Sequence, residues 1–100
     1  MSLESLTEEL RKRAAQSPKL GHTVKFVLED GGVIYWDGTG EQTVFSNQDT
    51  EAETVMRLSA DNLEKLIAGA LDPTMAYMTG KLKVEGKTGV ALKINSMLSD

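Results

Sequence analysis

Cysteine is absent, which removes disulfides, thiolate metal sites and thiol nucleophiles. Its absence fits a reducing compartment. Histidine occurs once, at His22, so few routes to acid–base or metal chemistry are open. No apolar run approaches the ~20 residues that would span a bilayer. Residues Met1-Ser2-Leu3-Glu4-Ser5 lack a basic stretch followed by a long apolar core, so no secretory signal is expected. The tripeptide Leu98-Ser99-Asp100 is not a Ser-Lys-Leu peroxisomal address. Positive charge is in deficit, with 11 Lys and Arg against 15 Asp and Glu and a net charge of −4. Binding to nucleic acid needs a surplus of cations on one face, so the balance argues against it. It argues weakly against stable docking on anionic membranes as well. A soluble cytoplasmic protein is the expectation.

What is present is ordinary globular material. The 100 residues are 40% hydrophobic and 26% charged, which suits one domain over residues 1–100 with a real core. In residues 3–16, Leu3, Leu6, Leu10 and Ala14 form one helical stripe, with acids leading and bases following. That stripe either packs on a sheet or offers itself to a partner or a membrane surface. Ser17-Pro18 ends the helix. Residues 22–29 alternate, with Val24, Phe26 and Leu28 on one face. Asp30-Gly31-Gly32 reads as a hairpin turn, 33–36 as the returning strand and 41–46 as a third. These three strands should form an antiparallel meander, because their connections are too short for crossovers.

Residues 53–58 read as a fourth strand. Residues 61–71 carry the cleanest helical period, with Leu63, Leu66, Ile67, Ala70 and Leu71 on one side. Ser59 or Asp61 can cap this helix, and Asp72-Pro73 stops it. Residues 74–78 suit a single helical turn. Residues 81–85 alternate as a fifth strand, and 89–98 form a last amphipathic helix. The order α-β-β-β-β-α-β-α predicts an α+β fold, a five-stranded, largely antiparallel sheet covered by helices.

Candidate chemistry mostly fails on inspection. Gly86-Lys87-Thr88 resembles the end of a phosphate-binding loop, but the required first glycine falls on Lys81, and Gly80 is one place too early. His22 has no serine in a Gly-x-Ser-x-Gly elbow to activate and reads as an exposed residue at a strand start. Asp49, Glu51 and Glu53 are the densest acidic group, yet they do not match a calcium loop and read as a solvated segment. Asp61 and Asp72 sit at helix boundaries, and Asp30 and Asp37 precede glycines in turns. No catalytic residue, metal site or cofactor is expected. What remains is apolar: Met56, Met75, Met78 and Met97 join Leu63, Leu66, Ile67 and Leu71. Methionine serves both as core filler and as adaptable binding surface, and on composition alone plain core is the favoured reading.

The segment from Asp72 to Lys93 resembles the sterol carrier protein type 2 family. That family has a proline, an Ala-aromatic pair, then Gly-Lys-Leu/Met-Lys-Ile/Val-x-Gly, a further glycine and a helix beginning Ala-x-Lys. Pro73, Ala76, Tyr77, Gly80, Lys81, Leu82, Lys83, Val84, Gly86, Gly89, Ala91 and Lys93 occupy those places. The resemblance implies a sheet covered by helices that enclose a hydrophobic tunnel. It also implies non-catalytic binding and intracellular transfer of fatty acid, fatty acyl-CoA, phospholipid or sterol, with transient membrane contact. By position, it makes Leu66, Ile67, Met75, Met78, Val84, Val90, Ile94, Met97 and Leu98 the candidate lipid-binding residues. Lys87, Lys93 or a helix N-terminus could meet a carboxylate head group. The chain departs from the family pattern at Lys87, where Asp or Asn is common. Its compact form resembles short bacterial members, for which sterol is not the expected ligand. The competing reading is a dimeric, non-catalytic accessory or interaction module. A small hydrolase lacks the nucleophile–base pair it would need.

Overall fold

The computed structural model describes residues 2–98; Met1 and the end of the Leu98-Ser99-Asp100 tripeptide lie outside the described residues. Helix α1 spans Leu3–Ala15. The Ser2 hydroxyl accepts from the Ser5 N–H at 3.1 Å and caps its start. Its stripe packs inward, with Leu6 and Leu10 fully buried. Of the two readings of this stripe, packing on the protein's own core is therefore the one realised.

Strands β1 (Thr23–Leu28), β2 (Val33–Asp37) and β3 (Val44–Ser46) form the antiparallel meander that their short connections require. The hairpin between β1 and β2 uses two glycines at φ +105° and +102°, where a side chain would be strained. Strand β3 is shorter than the 41–46 expected. The Asp37 carboxylate accepts from the Thr39 N–H and hydroxyl, and this turn holds the chain out of the ladder.

Strand β4 (Thr54–Leu58) pairs with β1 in parallel, and β5 (Lys83–Gly86) pairs antiparallel with β4 at the edge. The sheet is thus mixed, in the order β3-β2-β1-β4-β5. Three of its four pairings are antiparallel, as the expectation of a largely antiparallel sheet requires.

Helix α2 covers Ala60–Ala68 and ends before the 71 expected. Gly69 takes a left-handed φ of +77° there, and the Ala70 N–H returns to the Lys65 carbonyl. Ser59, not Asp61, is the cap, accepting from the Asn62 N–H at 3.0 Å. Asp72 does not stop α2; it caps α3 (Pro73–Met78), accepting from the Met75 N–H at 3.1 Å with Pro73 in the first turn. The expected single turn is therefore a short capped helix. The Lys81 and Leu82 N–H groups both bond to the Ala76 carbonyl, which closes α3 and delays β5 to residue 83. Helix α4 (Thr88–Leu98) completes the chain.

Val24, Phe26, Leu28, Ile34, Trp36, Phe45, Met56 and Leu58 present one sheet face to the helices. Leu6, Leu10, Leu63, Leu66, Ile94 and Leu98 fill the space between. Arg13, late in α1, donates to the Ile67 carbonyl at 2.6 Å and to the Leu98 carbonyl at 3.2 Å. One guanidinium thus satisfies carbonyls in the last turns of α2 and α4. No helix of the described residues is long and apolar enough to cross a membrane.

The turn from β5 into α4 is the tightest point. Gly86 has φ +90°, and a Cβ there would lie 2.3 Å from the Glu53 carbonyl oxygen. Gly86→Ala is expected to cost about 2 kcal/mol or more through strain and collision. Gly89→Ala meets nothing within 4 Å and should be neutral or slightly stabilising. Urea titrations followed through Trp36 fluorescence separate the two.

Candidate functional site

The glycine turn sets α4 beside β5, and α3 lies across from them. Between the three elements is an apolar groove of about 220 Å³. Pro73, Thr74 and Tyr77 of α3 form one wall. Leu82 and Val84 lie at its base, and Thr88, Ala91, Leu92 and Asn95 of α4 form the other wall. Leu82 and Val84 face the same way, as the alternation of this segment predicts. Lys83 and Glu85 are exposed, and Glu85 pairs with Arg57 of β4.

The groove is poor in reactive groups. Its lining has no carboxylate, histidine or amine, only two threonine hydroxyls, one phenol and one amide. The Asn95 Oδ1 atom is buried without a hydrogen-bond partner among the described residues. A buried, unpaired amide oxygen is costly unless something donates to it.

Nine residues were expected to line a lipid site. Val84 does line the groove, half-buried. Leu66, Ile67, Val90, Ile94 and Leu98 are buried in the common core instead. Their helical stripes are the ones that pack on the sheet. Met75 and Met78 are 53% and 73% exposed, outside the lining. Met97 borders two other depressions on the far side of α4, of about 320 and 240 Å³, the larger one mostly polar and walled by Arg13, Gln16 and Ser17. One of these also takes in Lys93, next to Lys19, away from the groove.

The lining that sequence reasoning missed comes from the flank of α4. Thr88, Ala91, Leu92 and Asn95 recur at helical spacing beside the core stripe. A second, mixed stripe adjoining a fully apolar one was the available signal.

Lys87 is engaged elsewhere. Its ammonium donates to Glu53 Oε1 at 3.0 Å, and the same oxygen lies 3.2 Å from His22 Nδ1. Glu53 Oε2 accepts from the Thr23 N–H at 3.0 Å, and the Glu53 N–H returns to the Thr23 hydroxyl at 2.9 Å. The Thr54 hydroxyl donates to the Lys87 carbonyl at 2.9 Å. Glu53 was read as part of a solvated acidic segment, yet it joins β1, β4 and the turn into α4. The Lys87 hydrogen bond, the Thr23 N–H and His22 together pull its carboxyl down to about 2. His22, read as an exposed residue at a strand start, is a half-buried member of this junction.

The model of the SCP-2 sterol transfer family matches residues 3–99. The chain belongs to this family. A Bos taurus relative, hydroxysteroid dehydrogenase-like protein 2, is 36% identical over 73 residues, which take in 71% of this chain and 18% of that protein. The chain spans less than a quarter of the curated relatives it matches, 23% in the Xenopus tropicalis protein. The solution structure of sterol carrier protein domain 2 of Helicoverpa armigera superposes with a TM-score of 0.80 at 18% identity, over 94% of this chain and 83% of that one. The Aedes aegypti sterol carrier protein 2 in complex with palmitate gives 0.78 at 20% identity, over 99% and 97%. SCP-2 membership thus extends the resemblance carried by residues 72–93 across the described fold.

Because the folded-state carboxyl of Glu53 lies below its ordinary value of 4.5, its bonds stabilise the protein fully above that value. The contribution is lost as pH falls from about 4.5 towards 2. Glu53→Gln should be less stable than the parent near neutrality, and the gap should close across that window. Thermal melts of both proteins at successive pH values measure it.

Proposed function

We propose that residues 1–100 act as one lipid-binding domain of the SCP-2 family. The domain takes an acyl chain into the α3–β5–α4 groove and carries it between locations in the cytoplasm without chemical conversion. The observation that carries this reading is an apolar groove whose lining offers no acid–base pair to react with a ligand. Each methylene leaving water for the groove contributes about 0.8 kcal/mol, so few polar contacts are needed. The palmitate complex of the Aedes aegypti protein makes a fatty acid the natural first ligand to test.

At about 220 Å³ the groove is smaller than the usual ~300–1,000 Å³ of ligand sites. It receives part of an acyl chain as it stands, and the remainder requires the exposed Leu92 and Tyr77 side chains to swing outward. Thr88 brings the first turn of α4 to the groove, where a carboxylate head is favoured. Asn95 supplies an acceptor for a ligand hydroxyl or a protonated acid.

Exposed Met75, Tyr77, Met78 and Leu92 also support the second reading, a dimeric non-catalytic accessory module that covers this rim. Light scattering distinguishes the two: the carrier reading requires lipid loading, and the accessory reading requires a dimer without it.

Native mass spectrometry with palmitate, and displacement of a fluorescent fatty acid, test the proposal. Leu92→Glu, which puts a charge in the groove wall, should weaken capture at least about tenfold while the fold persists. Ile94→Ala, in the core, should lower stability by about 2–5 kcal/mol with a smaller effect on capture by the folded fraction. Wild-type protein that never loads a fatty acid would refute the carrier reading.

A further inference from the structure

The sheet ends in two edges, β3 and β5. Beyond its ladder to β4, the Lys83–Gly86 backbone makes no backbone hydrogen bond among the described residues. An edge in this state is a template for a further strand. Helix α4 packs on β4 and β5, so α3, on the opposite wall of the groove, stands outboard of β5. Its Met75 and Met78 are more than half exposed.

Charge decides what this edge accepts. Lys83 and Glu85 share the face turned away from the groove, and Val84 between them turns towards it. In the ladder Lys83 lies directly opposite Arg57, where like charges are unfavourable. Glu85 pairs with Arg57, while Lys83 makes no ion pair among the described residues. Lys83 therefore lacks a carboxylate, and a second copy of the same strand supplies one. A two-fold axis through Val84 sets each Lys83 opposite Glu85 of the other copy. An axis through Lys83 would oppose lysine to lysine, and one through Glu85 would oppose glutamate to glutamate. Lysine on an edge ordinarily discourages pairing, but here Glu85 on the same face complements it in a single register. The β3 edge, Val44–Ser46, carries no charged side chain and specifies no such register.

We propose that two copies of this chain associate through β5, pairing antiparallel about Val84 so that their sheets become continuous. Glu85 has acceptor sites for both neighbours, so it keeps Arg57 and receives Lys83 of the partner copy. Val84 meets Val84 across the seam, the floors of the two grooves adjoin, and α3 of each copy borders the contact with Met75 and Met78. One short strand and one short helix make a small interface, so the dimer is concentration-dependent. The pairing rests on the edge and its charges, not on the carrier reading.

Sedimentation equilibrium of the whole chain over rising concentration tests it, and a monomer–dimer equilibrium is expected. Lys83→Glu and Glu85→Lys should each weaken association at least about tenfold, because each opposes like charges twice across the seam. An equimolar mixture of the two variants should recover it, since each supplies the charge the other lacks. The chain has no cysteine, so an introduced one reports a single contact. Oxidation should link Val84→Cys into dimers and leave Val44→Cys, on the β3 edge, unlinked. Circular dichroism establishes that the variants are folded, and palmitate loading is measured on the same samples. A dimer dispersed by both charge reversals but never loaded with palmitate supports the pairing and removes the carrier reading. A chain that loads palmitate yet stays monomeric at every concentration overturns the pairing alone. A dimer indifferent to both reversals, a mixture that fails to recover, or cross-linking confined to Val44→Cys also overturns it.

Discussion

The contact between Gly86 and the Glu53 carbonyl is the constraint on which the site depends. No other residue type fits there, because a Cβ would sit 2.3 Å from that oxygen in a left-handed backbone. The close approach lets β5 turn directly into α4. The Glu53 carboxylate then secures the same junction from the other side, holding Lys87, His22 and the start of β1 at once. Together they fix where the chain leaves β5 for α4, whose flank forms one wall of the groove.

The interior beneath the groove is closely packed. Trp36, Phe26, Met56 and Ile94 are fully buried, with the Trp36 and Phe45 rings 5.0 Å apart. Such interiors resist volume change, so ligand space is more easily made at the exposed walls than by emptying the core. Leu92 and Tyr77, on the walls, are more than half exposed.

Charge tells the same story at larger scale. The summed charge of the chain argued against an anionic membrane, yet the deficit lies in residues 1–72 while the segment that builds the groove is positive. A single net value averages over a distance much longer than the roughly 8–10 Å on which screened charges act.

Local chemistry was legible from residues alone. Alternation located the strands, the Asp30-Gly31-Gly32 turn set the meander, and the residues from Pro73 to Lys93 carried the family resemblance. The α+β class and the five strands followed, since each rests on neighbours in sequence. What tertiary structure decided was non-local. The parallel pairing of β4 with β1 joins segments about 30 residues apart, which no short-range pattern encodes. The helical period identified apolar stripes, but a stripe on α2 or α4 can face a core or a ligand equally well. Packing assigned Leu66, Ile67, Val90, Ile94 and Leu98 to the core and left the groove to Thr88, Ala91, Leu92 and Asn95 on the adjoining flank. Glu53 likewise looked like one acid among several until folding brought His22, Thr23 and Lys87 around it. Sequence determined which faces were apolar; only the meeting of distant elements determined which of them remained open.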